Sequence, residues 1–214
     1  MVEQVRRYMI AIPCMEMMHT AFVSSLVNMR RVGANKVTFL SNSLIYDARN
    51  MLAAEALDTG ADRILWLDSD MVFGVDLMQR LAEDMDEGRD IVSGLYFRRR
   101  FPMAPIISRE VDRDGVKALQ VYEDYPQDQV FEVAAFGFGA CMMSSEVLRA
   151  VWDKYGSPFY PINGHGEDFS FCERAKSLGY RLYCDSRIKV GHVGSMAYDE
   201  ALYRKQGAEK NGTT

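Results

Sequence analysis

Apolar residues arrive along this chain alternately as short unbroken blocks and as helically spaced sets. Arg7-Tyr8-Met9-Ile10-Ala11-Ile12-Pro13 is an apolar run stopped by a proline, which predicts a strand followed by a loop. From Ala21 to Arg31 the residues Phe22, Val23, Leu26, Val27 and Met29 recur at helical spacing, with Gly33 just beyond, and predict a crossover helix. Lys36 to Leu40 reads as a second strand, Asp47 to Thr59 as a second helix and Ile64 to Asp68 as a third strand. A helix over 76–87 and a strand from Asp90 to Phe97 continue the alternation. Strands and helices in that order imply βαβ units, hence an α/β fold built on a mainly parallel sheet flanked by helices.

After Phe101 the pattern changes. Pro102, Pro105, Asp112-Arg113-Asp114-Gly115 and Pro126 punctuate short runs at Ala104–Ser108 and Ala118–Tyr122, which predict a small antiparallel hairpin. Phe131 to Met143 reads as one long strand of apolar and small residues, and Ser144-Ser145-Glu146 opens a helix with capping-type residues. A Pro- and Gly-rich loop at 158–167, a helix at 168–178 ended by Gly179 and a last core strand at Arg181–Asp185 complete the set. From about Tyr198 the chain turns polar, so residues 1–196 are expected to form one domain and 197–214 a polar tail.

Composition sets bounds on this picture. A chain of 214 residues with 48% hydrophobic content can bury one sizeable core. A formal net charge of -5 gives no global reason to bind nucleic acid. Cys14, Cys141, Cys172 and Cys184 are scattered, with no C-x-x-C pair, as in reduced core thiols rather than a disulfide or zinc framework. No signal-peptide pattern opens the sequence and no apolar run approaches the ~20 residues that span a bilayer, so a cytoplasmic, soluble protein is expected.

The chemistry-bearing residues stand in five places. Ile64-Leu65-Trp66-Leu67 stops abruptly at Asp68-Ser69-Asp70, two carboxylates at a strand end, where α/β sheets form their ligand crevice and where hard cations find oxygen ligands. The same acids would equally suit capping the strand and starting the next helix. Asp47-Ala48-Arg49-Asn50 places an arginine near a helix N-terminus, able to hold an anionic or planar ligand or simply to face solvent. Gly137-Phe138-Gly139 interrupts a strand with glycines, which fits either a bulge or the close approach of a ligand. Asn163-Gly164-His165-Gly166-Glu167-Asp168 pairs two acids at a helix start, for capping or for catalysis. Lys189-Val190-Gly191-His192 offers an imidazole after the last core strand, a structural residue or a metal ligand. Arg98-Arg99-Arg100 suits phosphate contact or a solvated face, and Met15, Met17 and Met18 suit gap filling.

Together these pieces resemble the GT-A fold glycosyltransferases, nucleotide-sugar-dependent enzymes whose strand-end Asp-x-Asp binds a divalent cation. The resemblance runs in order through residues 48–50, 68–70, 137–139, 167–168 and 192, and spans residues 7–196. It implies a single GT-A, Rossmann-like domain and a hexosyltransferase that moves a sugar from a nucleotide-sugar donor, a UDP-sugar favoured, to an acceptor hydroxyl. It also implies Mn2+ or Mg2+ held by Asp70 and His192, with Asp68 at the metal or the ribose. By the same resemblance Ile12, Pro13, Cys14, Arg49, Asn50 and Ser69 line the nucleotide pocket, Gly137, Phe138 and Gly139 pass the donor sugar or acceptor, and His165 contacts acceptor or phosphate. In an inverting enzyme Asp168 is the general base with Glu167 its neighbour; in a retaining one Asp168 orients substrates. A sugar-phosphate nucleotidylyltransferase is the competing enzyme class, although Pro13-Cys14-Met15-Glu16-Met17-Met18 stands where such enzymes carry a glycine-rich basic loop. A carbohydrate- or nucleotide-binding module without turnover is the non-enzymatic alternative, and the acceptor is left open.

Overall fold

The computed structural model describes residues 5–194, so the expected polar tail and the end of the expected domain at 196 lie outside the described residues. The first half alternates as the periodicity predicts: β1 (Arg7–Pro13), α1 (Thr20–Asn28), β2 (Ala34–Leu40), α2 (Ile45–Asp58) and β3 (Arg63–Leu67). A short β4 (Met71–Phe73), α3 (Leu77–Asp86) and β5 (Ile91–Leu95) follow. The second half holds β6 (Ile107–Arg113), β7 (Val116–Val121), β8 (Val130–Val133), β9 (Ala135–Phe136), β10 (Ala140–Ser144), α4 (Ser145–Tyr155), α5 (Glu167–Ser177) and β11 (Leu182–His192).

The central sheet has eight strands in the order β2-β1-β3-β10-β5-β11-β4, with β8 beside β11. β1 pairs in parallel with β2 and β3, and β11 with β5, whereas β10 lies antiparallel between β3 and β5. The sheet is therefore mixed and largely parallel, as expected for the α/β class. Its faces are both covered, which explains the unbroken apolar runs of β1 and β3. Met9, Ala11, Ile64 and Trp66 meet α2, α4 and α5 on one side through Leu52, Val147, Leu148 and Phe171. Tyr8, Ile10, Leu65 and Leu67 meet α1 and α3 on the other through Phe22, Leu26, Leu81 and Met85.

The expected hairpin is present as β6–β7, which with β9 makes a second, three-stranded sheet. Its strands extend into charged residues on either side of the Asp114-Gly115 turn, because one face meets solvent and hydrophobicity does not mark their ends. The single strand expected at 131–143 is three strands. β8 pairs with β11, β9 with β6, and β10 sits inside the main sheet, so one apolar run serves two sheets. The break falls at Gly137 and Gly139, where the backbone passes against Tyr96. A Cβ at Gly137 would lie 2.1 Å from the Tyr96 hydroxyl, and one at Gly139 would lie 2.3 Å from Met71 Cε. The last strand also exceeds its expected end at Asp185: after an irregularity between Asp185 and Lys189, β11 continues to His192 and pairs with β4.

Candidate active site

β3 ends at Leu67, and Asp68-Ser69-Asp70 turns the chain directly into β4, not into a helix. Capping of a following helix is thereby excluded for both acids, since α3 begins only at Leu77. The turn is held by its backbone. The Asp68 N–H donates to the Gly139 carbonyl at 3.0 Å, Met71 N–H to the Asp68 carbonyl at 3.1 Å, and Val193 N–H to the Asp70 carbonyl at 2.8 Å. The last of these bonds extends the β4–β11 pairing, in which His192 lies opposite Met71. Antiparallel pairing thus brings the imidazole beside a carboxylate far away in sequence: His192 Nε2 is 3.4 Å from Asp70 Oδ2.

The orientation of the imidazole follows from its partners. His192 Nδ1 lies 3.0 Å from the Phe97 carbonyl, which can only accept, so Nδ1 carries a proton and Nε2 is the nitrogen that faces Asp70. Asp70 Oδ1 is buried with no hydrogen-bond partner. Oδ2 takes an ion pair from Arg99, whose Nη1 also donates to the Val193 carbonyl at 3.0 Å. Burial alone would raise the Asp70 pKa, but His192 and then Arg99 outweigh it and hold the carboxyl below its ordinary value.

Arg49 stands beneath this turn. Its side chain is 2% exposed, with the guanidinium 5.8 Å from the centre of the Trp66 ring and 5.5 Å from that of Phe138. Nη2 donates to Asp68 Oδ1 at 2.8 Å and Nε to Glu167 Oε1 at 3.3 Å. Burial works against its charge, yet the carboxylates of Asp68 and Glu167 more than offset this and raise its pKa. Asp68 is raised, chiefly by burial, and Arg49 only partly counters that effect. One buried cation therefore ties the first acid of the turn to the first acid of α5.

Asp168 follows Glu167 in the first turn of α5, whose N-cap position is Gly166. Its Oδ1 accepts the N–H of Phe169 at 2.7 Å. Burial, and then the neighbouring Glu167, push its pKa up to about 6. Asp68, Ser69, Asp70, Asp168 and His192 line one cleft of about 350 Å3, whose further walls include Pro13, Tyr96 and Arg99.

Several residues expected at a ligand lie elsewhere. Ile12 is wholly buried in the core below the cleft. Arg49 faces neither solvent nor cleft, and Asn50 uses its Oδ1 to accept the Phe159 N–H at 3.0 Å, anchoring the loop before α5. Phe138 packs among Trp66, Phe159 and Phe171. Gly137 and Gly139 make room for Tyr96, whose hydroxyl accepts the Gly139 N–H at 3.0 Å. Space for a side chain, not for a ligand, accounts for these glycines. His165 lines not this cleft but a neighbouring hollow between the β6–β7 hairpin and α5. Cys14, at the end of the first strand, and Ala48, next to Arg49, do enter the cleft wall, and so do Ser43, Tyr96 and Arg99. Of these last three, Arg99 had a signal in the sequence, the run of three arginines; Tyr96 reads there as one more core residue.

Among the described residues no helix is long and apolar enough to cross a membrane. No protein-family model matches the chain, and no curated protein matches it. Solved structures do. A197 from STIV superposes with a TM-score of 0.65 at 22% identity, over 89% of this chain and 86% of that one. GalNAc-T7, in a crystal structure with UDP, GalNAc and Mn2+, gives a TM-score of 0.62 at 13% identity over 91% of this chain. The match spans 45% of the GalNAc-T7 chain, less than half its length. At these identities the likeness concerns architecture, and it places this chain in the fold of the GT-A glycosyltransferases.

Proposed function

We propose that the chain transfers a sugar from a nucleotide-sugar donor to an acceptor hydroxyl with the help of a divalent cation. The observation that carries this reading is the convergence of Asp68, Asp70, His192 and Asp168 on one cleft at the strand ends. The GT-A-like fold supports it, and the UDP in the GalNAc-T7 structure favours a UDP-sugar as donor.

The residues present fit a cation. Asp70 offers a buried oxygen with no partner, and His192 directs Nε2 at the same carboxylate because the Phe97 carbonyl holds its Nδ1–H. Among the described residues no three His, Cys, Asp or Glu side chains gather closely enough to hold a metal by themselves. Asp70 and His192 would therefore be the two protein ligands, with donor phosphate oxygens and water completing the shell. Asp68, engaged by Arg49, is left to face the ribose or to act through water. An imidazole ligand favours Mn2+ over Mg2+. A divalent cation bound there supplies positive charge where the leaving diphosphate becomes more negative. Arg99 is a natural second cation for that diphosphate, since it already sits against Asp70 and lines the same cleft.

Asp168 is the proposed general base of an inverting transfer. The base must be ionised to accept the acceptor proton, and a pKa of about 6 keeps it both ionised at neutral pH and more basic than an ordinary carboxylate. Arg49 holds Glu167, and so the start of α5, against the Asp-x-Asp turn; it positions the two acid pairs relative to each other. The test is direct: purified protein with Mn2+ and a panel of nucleotide sugars, followed by calorimetry and by slow donor hydrolysis. Failure of every nucleotide sugar to bind in the presence of metal would refute the reading.

A further inference from the structure

A hollow of about 730 Å3, roomier than the cleft of about 350 Å3, lies between the β6–β7 hairpin and α5. We propose that this hollow is the acceptor subsite and that it takes a neutral saccharide of two or more rings, an inference that rests on the transferase reading above.

Placement is the first argument. Two elements run from the donor cleft into the hollow. Ile106, just before β6, lines the cleft, and Glu110 on β6 lines the hollow. At ~3.3 Å per residue that is on the order of 13 Å. Asp168 lines the cleft, and Phe169 and Lys176 on the same helix line the hollow; the eight residues from 168 to 176 rise roughly 12 Å. An acceptor that fills the hollow and still presents a hydroxyl to Asp168 must be longer than one pyranose ring.

Charge is the second. The hollow carries two acids and two lysines, and they neutralise one another: Lys176 and Lys117 both pair with Glu110, the latter at 3.2 Å, while Glu173 accepts from Asn163 Nδ2 at 2.7 Å. With no surplus of either sign the wall has no preference for phosphate, nucleic acid or a polycation, but it offers donors and acceptors in both senses, as a polyol requires. The third argument is apolar surface. His165 and Phe169 stand with ring centres 6.2 Å apart, and Ala134, Ala135 and Leu119 form a smooth floor. A pyranose, with an apolar C–H face and a polar rim, matches such a wall. The volume falls within the range of small-ligand sites.

Saturation-transfer NMR on the full chain with neutral disaccharides, their monosaccharides, a uronic-acid disaccharide and a single-stranded oligonucleotide tests the proposal. Neutral disaccharides should show the strongest contacts. Ala118→Trp, which fills the hollow from the hairpin, and Glu173→Gln, on the exposed face of α5, should each weaken that binding by about tenfold. Neither touches the donor cleft, so Mn2+-dependent hydrolysis of the nucleotide sugar should persist in both. Saccharide binding that both variants leave unchanged would overturn the assignment, as would preference for the oligonucleotide or the uronic acid. Disaccharide binding lost in the variants, in a protein that binds no nucleotide sugar with Mn2+, would uphold a saccharide site in the hollow and refute the transferase reading instead.

Discussion

Asp70 and His192 face each other through Oδ2 and Nε2 at 3.4 Å, and several residue-level outcomes follow from that arrangement. Asp70→Ala and His192→Ala should each abolish Mn2+-dependent binding of the donor in calorimetry, whereas Asp168→Asn should bind the donor normally and lose transfer. A loss of donor binding in Asp168→Asn would move that residue to the donor side. Arg99 competes for the same carboxylate. Arg99→Ala should therefore tighten Mn2+ binding in the absence of nucleotide and weaken binding of UDP; looser Mn2+ binding would show that the arginine supports the site rather than holding its place. The pH profile reports on Asp168. Its carboxyl, buried and beside Glu167, ionises near pH 6, so transfer should rise as pH climbs through about 6 and level off above it. An acidic limb at the ordinary carboxylate value of about 3.9 would deny Asp168 the base role.

At the scale of elements, the segment from Gly137 to Gly139 acts as a spacer on which the site rests. Its glycines admit Tyr96, and the Gly139 carbonyl takes the Asp68 N–H, so the shape of the Asp-Ser-Asp turn depends on a strand break that contributes no side chain to the cleft. Gly137→Ala would press a methyl into the Tyr96 hydroxyl and should cost about 1–3 kcal/mol in urea denaturation, the usual range for overpacking. Tyr96→Phe deletes the clashing oxygen and should recover part of that loss in the double variant. Strict additivity of the two changes would show that the glycine serves some other purpose.

At the scale of the whole molecule, a second buried acid pair lies away from the cleft, where α3 packs on β11. Asp84 and Asp185 are both buried there, and Asp84 Oδ2 has no hydrogen-bond partner. Burial, and then Asp185, push the Asp84 pKa up to about 7, despite the Arg187 and Arg89 guanidiniums nearby. A carboxyl whose pKa is higher folded than unfolded binds its proton more tightly in the folded state, so stability falls as pH rises from about 4 through about 7. Chemical denaturation at pH 5 and pH 8 should show this loss, and Asp84→Asn should remove most of it; an unchanged pH dependence in that variant would place the effect elsewhere. The sequence by itself determined the α/β alternation, the strand that ends in two acids and the hairpin, because periodicity and the abrupt stop of an apolar run are local properties. It also placed Asp68, Asp70 and Asp168 at strand and helix ends, where a cleft forms, and His192 only beyond the last core strand. Only the tertiary structure decided which polar residues face that cleft. Arg49 reads as a surface or ligand residue until Trp66, Phe138 and two carboxylates close around it, and His165 lines the neighbouring hollow rather than the cleft. The run at 131–143 could not show its division between two sheets, nor β11 its continuation to β4, because strand pairing joins residues far apart in the chain and leaves no period in either partner alone.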